Sequence, residues 1–290
     1  MSGKMVEPLK LKGNEDIKSL INNVFANSGF NARRLAEACE IYSRMIKDNA
    51  TICLTLAGAM TPIGMSGPVI EMMELGFIDF IISTGANLYH DLHRPFEYPV
   101  KQGEVLVDDD ELNKLGISRI YDTYIDDNET LMSTDKSILE AIKDLPLERP
   151  ISTAEFHYRL GDCVLKKSAH PEKSLLAQAT RLNVPVYVSS PGDSSIGMNI
   201  AGVAARGKRA IIDPSLDILE TTAIVMDAQK WRNRNRWWVS KEFLYANSAN
   251  ALANFSYRQR RSRLFYPAHH RFAALGWIVR CNPTGSKIMG

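Results

Sequence analysis

Three short stretches of small and polar residues each follow directly on an apolar run. They are Gly58-Ala-Met-Thr-Pro62, Ser83-Thr-Gly-Ala-Asn87 and Ser189-Ser-Pro-Gly-Asp-Ser-Ser-Ile-Gly197. Glycine and alanine let a backbone come close to a phosphate. Thr61, Thr84, Ser194 and Ser195 have hydroxyls to donate to it, and Asp193 can accept from a ribose hydroxyl. None of the three is the GxGxxG fingerprint. Tight strand-to-helix turns that bind nothing have the same composition. The second stretch runs on into Tyr89-His-Asp-Leu-His93. His90 and His93, three apart, share one face of a helix and suit the polar lining of a cleft. A metal would need further ligands; none is identifiable, and no metal site is assigned. His157 and His170 give no comparable signal.

These stretches need elements to hold them. Thr51–Leu56 is an apolar run short enough for a buried strand, and Phe77–Ile82 is a second. Between them, Ser66 caps a helix carrying Val69, Ile70, Met72 and Met73, which Gly76 closes. This β-α-β unit argues for an α/β fold, a parallel sheet flanked by helices. Upstream, Ile17, Leu20, Ile21, Val24 and Phe25 recur at helical spacing. Asn31 caps a second helix with Leu35, Cys39, Tyr42 and Ile46 on one face. Downstream, residues 136–144, 153–166, His170–Arg181 and Leu216–Lys230 read as helices, and Val184–Val188 and Arg209–Ile212 as strands. Residues 94–115 read as a surface excursion in which Asp108–Glu111 form a solvated turn. In doubly wound sheets, ligands sit at the carboxyl ends of the strands, near a topological switch point. All three small-residue stretches occupy strand ends of that kind.

The bulk properties narrow the class. A chain of 290 residues, 45% hydrophobic and 23% charged, fits one large or two ordinary globular domains. No uncharged apolar stretch reaches the length of a membrane span. Lys4, Glu7, Lys10 and Lys12 interrupt any signal-peptide pattern. Cys39, Cys53, Cys163 and Cys281 form no CxxC pair and read as reduced thiols. A cytoplasmic location is expected. The net charge of +2 conceals a break. Residues 231–290 hold 11 Lys and Arg against one acid, Glu242, together with all four tryptophans. Residues 1–230 hold 24 bases against 32 acids. After Lys230, Trp231-Arg-Asn-Arg-Asn-Arg-Trp-Trp238 has neither helical nor strand periodicity.

Over roughly residues 15–230 the chain resembles the deoxyhypusine synthase family. Three segments carry the resemblance, in order and spacing: Thr55-Leu-Ala-Gly-Ala-Met-Thr-Pro-Ile-Gly64, Ile78-Asp-Phe-Ile-Ile-Ser-Thr-Gly-Ala-Asn87 and Val184-Pro-Val-Tyr-Val-Ser-Ser-Pro-Gly-Asp193. The resemblance implies a Rossmann-like fold, NAD as cofactor and assembly as a homotetramer. It implies transfer of a 4-aminobutyl group from a polyamine such as spermidine to an acceptor amine. A lysine carries the group as a Schiff base, and NAD removes and returns the hydride. The first NAD loop falls on Gly58, Ala59, Met60, Thr61 and Pro62, the second on Thr84, Gly85 and Ala86, and the ribose-binding acid on Asp193. The eukaryotic first loop, Ser-Asn-Leu-Ile-Ser, is replaced. A eukaryotic Glu-Glu pair falls on Tyr89 and His90, the substrate-lining candidates here, and another substrate aspartate falls on Met198. The chain looks more like the bacterial deoxyhypusine synthase-like branch, in which a small free amine is the acceptor. A homospermidine-type synthase is one alternative. A non-catalytic NAD-binding protein with a basic nucleic-acid-binding tail is another, although no nucleic-acid partner and no membrane partner is expected.

The family's third phosphate loop and its catalytic lysine belong after residue 230, and neither is present. Trp is encoded only by TGG, so each of Trp231, Trp237, Trp238 and Trp277 reads as Gly one base later. Met289-Gly290 reads as Trp. The shifted codons permit GETGTGGGYPKNFYM from Trp231, DKGGHDYFIQ from Arg258 and GLSGATPQEA-(Lys or Arg)-SW from Trp277. These resemble the family segments GGG-x-PKNF, GGHDYF and GLSGATP-x-EA-x-SWG in the correct order. The family lysine then falls just after Gly290, and no residue of this chain is assigned its role. Residues 1–230 are therefore expected to form a truncated NAD-binding domain. Residues 231–290 are expected to be an out-of-frame tail, disordered or misfolded, that disrupts the end of the fold, leaves a sheet edge open and impairs activity.

Overall fold

The computed structural model describes residues 5–143, 149–207, 210–231 and 278–280. The chain enters through a short helix α1 (Ile17–Ser19), capped by Asp16, which accepts from the Ser19 amide at 2.6 Å. It continues as a wide turn over Leu20–Val24 and a tight one over Phe25–Asn27, so the expected first helix forms irregularly. Helix α2 (Phe30–Lys47) begins one residue before Asn31, and Gly29 is its cap. Strand β1 (Ile52–Leu56), helix α3 (Ser66–Glu74) and strand β2 (Phe80–Ser83) form the expected β-α-β unit. Ser66 is a correction: the cap position belongs to Met65, and Ser66 is buried in the first turn. Strand β2 starts three residues later than Phe77. Asp79 is held beside β1, its carboxylate accepting from the Ile52 amide at 2.7 Å.

Helix α4 (Gly85–Asp91) follows, and then the excursion. It is more ordered than expected. Strands β3 (Val100–Gln102), β4 (Ile117–Ile120) and β5 (Thr123–Asp126) form an antiparallel sheet in the order β3-β5-β4. The acid run becomes the first turn of helix α5 (Asp109–Lys114), capped by Asp108, where negative charge meets the positive end of the helix dipole. Asp109 also pairs with Arg119 at 2.5 Å.

The remaining elements are α6 (Met132–Ile142), α7 (Thr153–Lys167), α8 (Leu175–Leu182), β6 (Val186–Val188), α9 (Ser195–Ala205), α10 (Pro214–Trp231) and β7 (Ile278–Arg280). The helix expected from His170 divides at Ser174: Pro171–Lys173 is a single tight turn, and Ser174 caps α8. The strand expected at Arg209–Ile212 reduces to one bridge between Ile151 and Ile212, because Pro214 opens α10 two residues on; Arg209 lies outside the described residues.

The main sheet runs β6-β2-β1-β7, with β6, β2 and β1 parallel and β7 antiparallel to β1. The strand order moves one way from β1, so no reversal lies among the three parallel strands; what they share is one carboxyl edge. The edge of β1 expected to be open is occupied by the backbone of Ile278–Arg280, for an unpaired strand edge offers hydrogen-bonding groups to any extended segment in reach. The rest of the expected tail, 232–277 and 281–290, lies outside the described residues. One sheet face (Leu54, Leu56, Ile81, Val186, Val188) packs with residues of α3, α4, α7 and α8 in the main core. The other (Cys53, Phe80, Tyr187) packs with Ala154 and Ile224. Burial on both faces explains why these strands read as unbroken apolar runs.

Candidate functional site

The loop after β1 is shaped by its own turns and by two side chains, Asn87 and Arg94. Gly58 and Gly64 have φ of 74° and 92°, the left-handed region that side chains rarely adopt. Asn87 Oδ1 accepts from the Met60 amide (3.0 Å) and the Thr61 amide (3.3 Å), while its Nδ2 donates to the Leu56 carbonyl (3.2 Å). Thr61 Oγ1 donates back to the Asn87 carbonyl at 2.6 Å. Arg94 closes the loop from outside, donating to the carbonyls of Thr61 (2.6 Å) and Pro62. The consequence for Thr61 differs from expectation. It is fully buried and its hydroxyl proton is spent internally, so it shapes the loop and has no proton for a phosphate. Gly58 and Ala59 remain the approachable backbone of this segment.

The loops after β2 and β6 come together. Thr84 caps α4 and Ser194 caps α9, each hydroxyl accepting a backbone amide: Asn87 at 3.4 Å and Gly197 at 3.2 Å. A hydroxyl that accepts keeps its proton for a ligand. A Cβ on Gly85 would lie 2.3 Å from Ser194 Oγ, and one on Gly197 would lie 2.5 Å from the Pro191 carbonyl. Both glycines are therefore fixed by close approach, Gly85 by the Ser194 side chain and Gly197 by the backbone of Pro191 and Gly192, and the starts of α4 and α9 are neighbours. The unpaired amides at the start of α9 suit an anion. Ala86 and Asp193 are exposed beside them.

Beyond these loops, α4 presents a polar face to α6 and α9. Tyr89 is 3% exposed, and its hydroxyl lies 3.0 Å from both the Leu131 carbonyl and Asp135 Oδ1. Asn199 Nδ2 donates to the same Asp135 oxygen at 2.7 Å. Burial and the neighbouring carboxylate push the Tyr89 phenol far above its ordinary pKa, so it stays a donor. His90 Nδ1 meets His93 Nε2 at 2.9 Å, and His93 Nδ1 meets Thr134 Oγ1 at 2.8 Å. Burial pulls His90 down to about 4 and, with the charge of its neighbours, His93 down to about 3. Both rings are neutral near pH 7. They form a short chain in which a proton position at one end sets the tautomer at the other. Among the described residues no group of three His, Cys, Asp or Glu is placed to hold a metal.

Five residues that hold this site together were not assigned that role from the sequence. Asn87 and Arg94 fix the first loop; Asp135 and Asn199 join α6 and α9 to Tyr89. Asp91, fully buried, accepts from Ser174 Oγ (2.7 Å), the Leu175 amide (2.8 Å) and the Leu176 amide (3.0 Å), which docks α8 against α4. The one available cue was a run of polar side chains at 87–94 inside an otherwise apolar stretch. A small apolar cavity bordered by Ala154, Leu176, Ala179 and Val186 lies between α7, α8 and the start of β6, away from the loops.

The deoxyhypusine synthase profile matches residues 19–232. A deoxyhypusine synthase-like protein of Thermosynechococcus vestitus is 40% identical over 230 residues, covering 78% of this chain and 57% of that protein. One from Nostoc sp. is 39% identical over 238 residues, covering 80% and 61%. The chain thus spans about three fifths of the length of these relatives. A crystal structure described as a deoxyhypusine synthase from Entamoeba histolytica shares the fold, with a TM-score of 0.54 at 15% identity over 77% of this chain and 74% of that one. With a parallel α/β sheet, loops gathered at its carboxyl edge and a profile match over most of its length, the chain belongs to the deoxyhypusine synthase family.

Proposed function

We propose that this site binds NAD and serves the transfer of a 4-aminobutyl group from a polyamine of the spermidine class to an acceptor amine. The observation that carries the reading is the packing of the Ser194 side chain directly on Gly85, which holds the starts of two helices together as a cradle. Ser194 and Thr84 offer hydroxyl protons there, the amides of α9 offer charge complementarity to a pyrophosphate, and exposed Asp193 offers a ribose its carboxylate. Gly58 and Ala59 add close backbone approach from β1. When bound, NAD would supply hydride abstraction from the donor amine and its return. The chain's own residues bind and orient: Tyr89 and His90 line the donor's place, and the neutral His90–His93–Thr134 chain can pass a proton without a net charge beside a cationic substrate. As in the family, assembly as a homotetramer is part of the proposal.

No described residue is assigned the amine nucleophile, and Lys241 and Lys287 lie outside the described residues. We infer that the codons after Lys230 are read one base out of register, so that the 290-residue chain binds NAD but turns over little or no polyamine. The profile match ending at residue 232 supports this. Calorimetric titration of the purified chain with NAD tests the binding half, and absence of affinity would sink it. Sequencing the gene across codon 230 and beyond codon 290 tests the second half. Robust aminobutyl transfer by the purified chain would refute it.

A further inference from the structure

We propose that Asp135 is the carboxylate that receives a cationic amine of the donor polyamine, an inference that rests on the polyamine reading above. In the family, carboxylates stand where this chain has Tyr89, His90 and Met198, none of which can neutralise an ammonium near pH 7. Asp135 is brought to the same place from another element. Its Oδ1 accepts from Tyr89 Oη at 3.0 Å and Asn199 Nδ2 at 2.7 Å, both neutral donors. Tyr89 lies four residues beyond Gly85 on α4, and Asn199 four beyond Ser195 on α9. The carboxylate therefore joins α4 and α9 through residues that lie about one helical turn along each from the cradle where their starts meet.

Three features distinguish it from a solvated surface acid. It is half-buried, unlike the neighbouring Lys136, which is exposed. It is oriented by two donors that leave its second oxygen for another partner. None of the ion pairs among the described residues includes it. A carboxylate held only by neutral donors has no counter-charge from them, and an ammonium is the partner that completes it. The neighbouring histidines, neutral through burial, add no competing cation.

The test is calorimetric titration of the full chain with spermidine in the presence of saturating NAD, for the unaltered protein, Asp135→Asn and Asp135→Glu. We expect Asp135→Asn to weaken spermidine binding by about tenfold or more while NAD affinity stays within about twofold, and Asp135→Glu to recover part of the loss. The unaltered chain should also prefer spermidine to its fully N-acetylated, uncharged form, and Asp135→Asn should lose that preference. That ratio reads the charge itself, whatever the variant does to stability. Spermidine binding unchanged in Asp135→Asn overturns the assignment and leaves the NAD and polyamine reading standing. Equal loss of NAD and spermidine binding in both variants reveals a purely structural residue and also overturns it. An unaltered chain that binds NAD but no spermidine overturns the polyamine reading, and the assignment with it.

Discussion

Asn87 is the side chain that holds the first loop from the inside, as Arg94 does from the outside. It satisfies the amides of Met60 and Thr61 and the carbonyl of Leu56, all in the interior between β1 and α4. Replacement by alanine strands the two amides, each costing about 1–3 kcal/mol when buried without a partner, while the Leu56 carbonyl keeps the Ser83 hydroxyl at 2.9 Å. Asn87→Ala is expected to lower the stability to urea by about 3 kcal/mol or more and to abolish measurable NAD binding. Gly85→Ala should act differently, because its Cβ would meet a serine fixed by its capping role. Overpacking of this kind costs about 1–3 kcal/mol, and equilibrium unfolding together with NAD titration should show both effects. Wild-type behaviour of Gly85→Ala would mean that α4 and α9 can part. At this scale the sequence was half legible. Small residues after apolar runs announced where a backbone could approach a ligand. The polar residues that fix those loops were silent, because their partners are distant: Asn87 reaches back 26 to 31 residues and Tyr89 reaches forward 46 to Asp135. Thr61 was misleading for the same reason, its hydroxyl being claimed by a carbonyl that only the fold brings near.

Elements whose stability comes from local pattern were the ones that could be read ahead. β1, α3 and β2 are a continuous apolar strand, an amphipathic helix and another strand, and each needs only its own sequence to declare itself. The excursion after α4 did not, since a small antiparallel sheet of three- and four-residue strands has too few residues to show alternation. Helix ends were the weakest point. Ser66 and Asn31 had the right chemistry for caps, but the chain enters α3 and α2 at other residues. The start of α8 shows what a cap can do beyond its own helix. Asp91, at the end of α4, takes the Leu175 and Leu176 amides and the Ser174 hydroxyl, so α8 is tied to the helix that carries Tyr89 and His90. Burial raises the Asp91 carboxyl's pKa, and these donors with Arg94 act against it. Asp91→Asn presents an amide donor to groups that are themselves donors. It should cost about 2–3 kcal/mol, read from the urea midpoint, and should loosen α8 in hydrogen exchange before the sheet opens. Uniform exchange in the variant and the parent would show that α8 is held by its apolar face alone.

For the whole molecule, two buried histidines, His93 and His157, and the partly buried His90 make stability a function of pH. His157 is 4% exposed between α7 and β6, with Nδ1 2.9 Å from the Val186 carbonyl, an arrangement in which the neutral ring donates. Burial holds it down to about 4, as it holds His90 to about 4 and His93 to about 3. The unfolded value is about 6.5, so below it the unfolded chain takes up protons that the folded one refuses. The stability from each neutral ring is complete above pH 6.5 and is lost as the pH falls toward the folded value. For His157 the full effect is about 3 kcal/mol at most. Glu220 opposes it. Burial raises that carboxyl to about 7, so the folded chain holds a proton that the unfolded one releases, and this contribution is lost as the pH rises from about 4.5 through 7. The net slope of the parent protein therefore mixes two signs, and the separable quantity is a difference. His157→Gln can still donate to Val186 but cannot be protonated; its urea midpoint should fall less than the parent's between pH 7 and pH 4.5. Glu220→Gln should steepen the same fall. Identical slopes in parent and His157→Gln would mean that the ring opens to water before it titrates, and that the packing of α7 on β6 is looser than the fold implies.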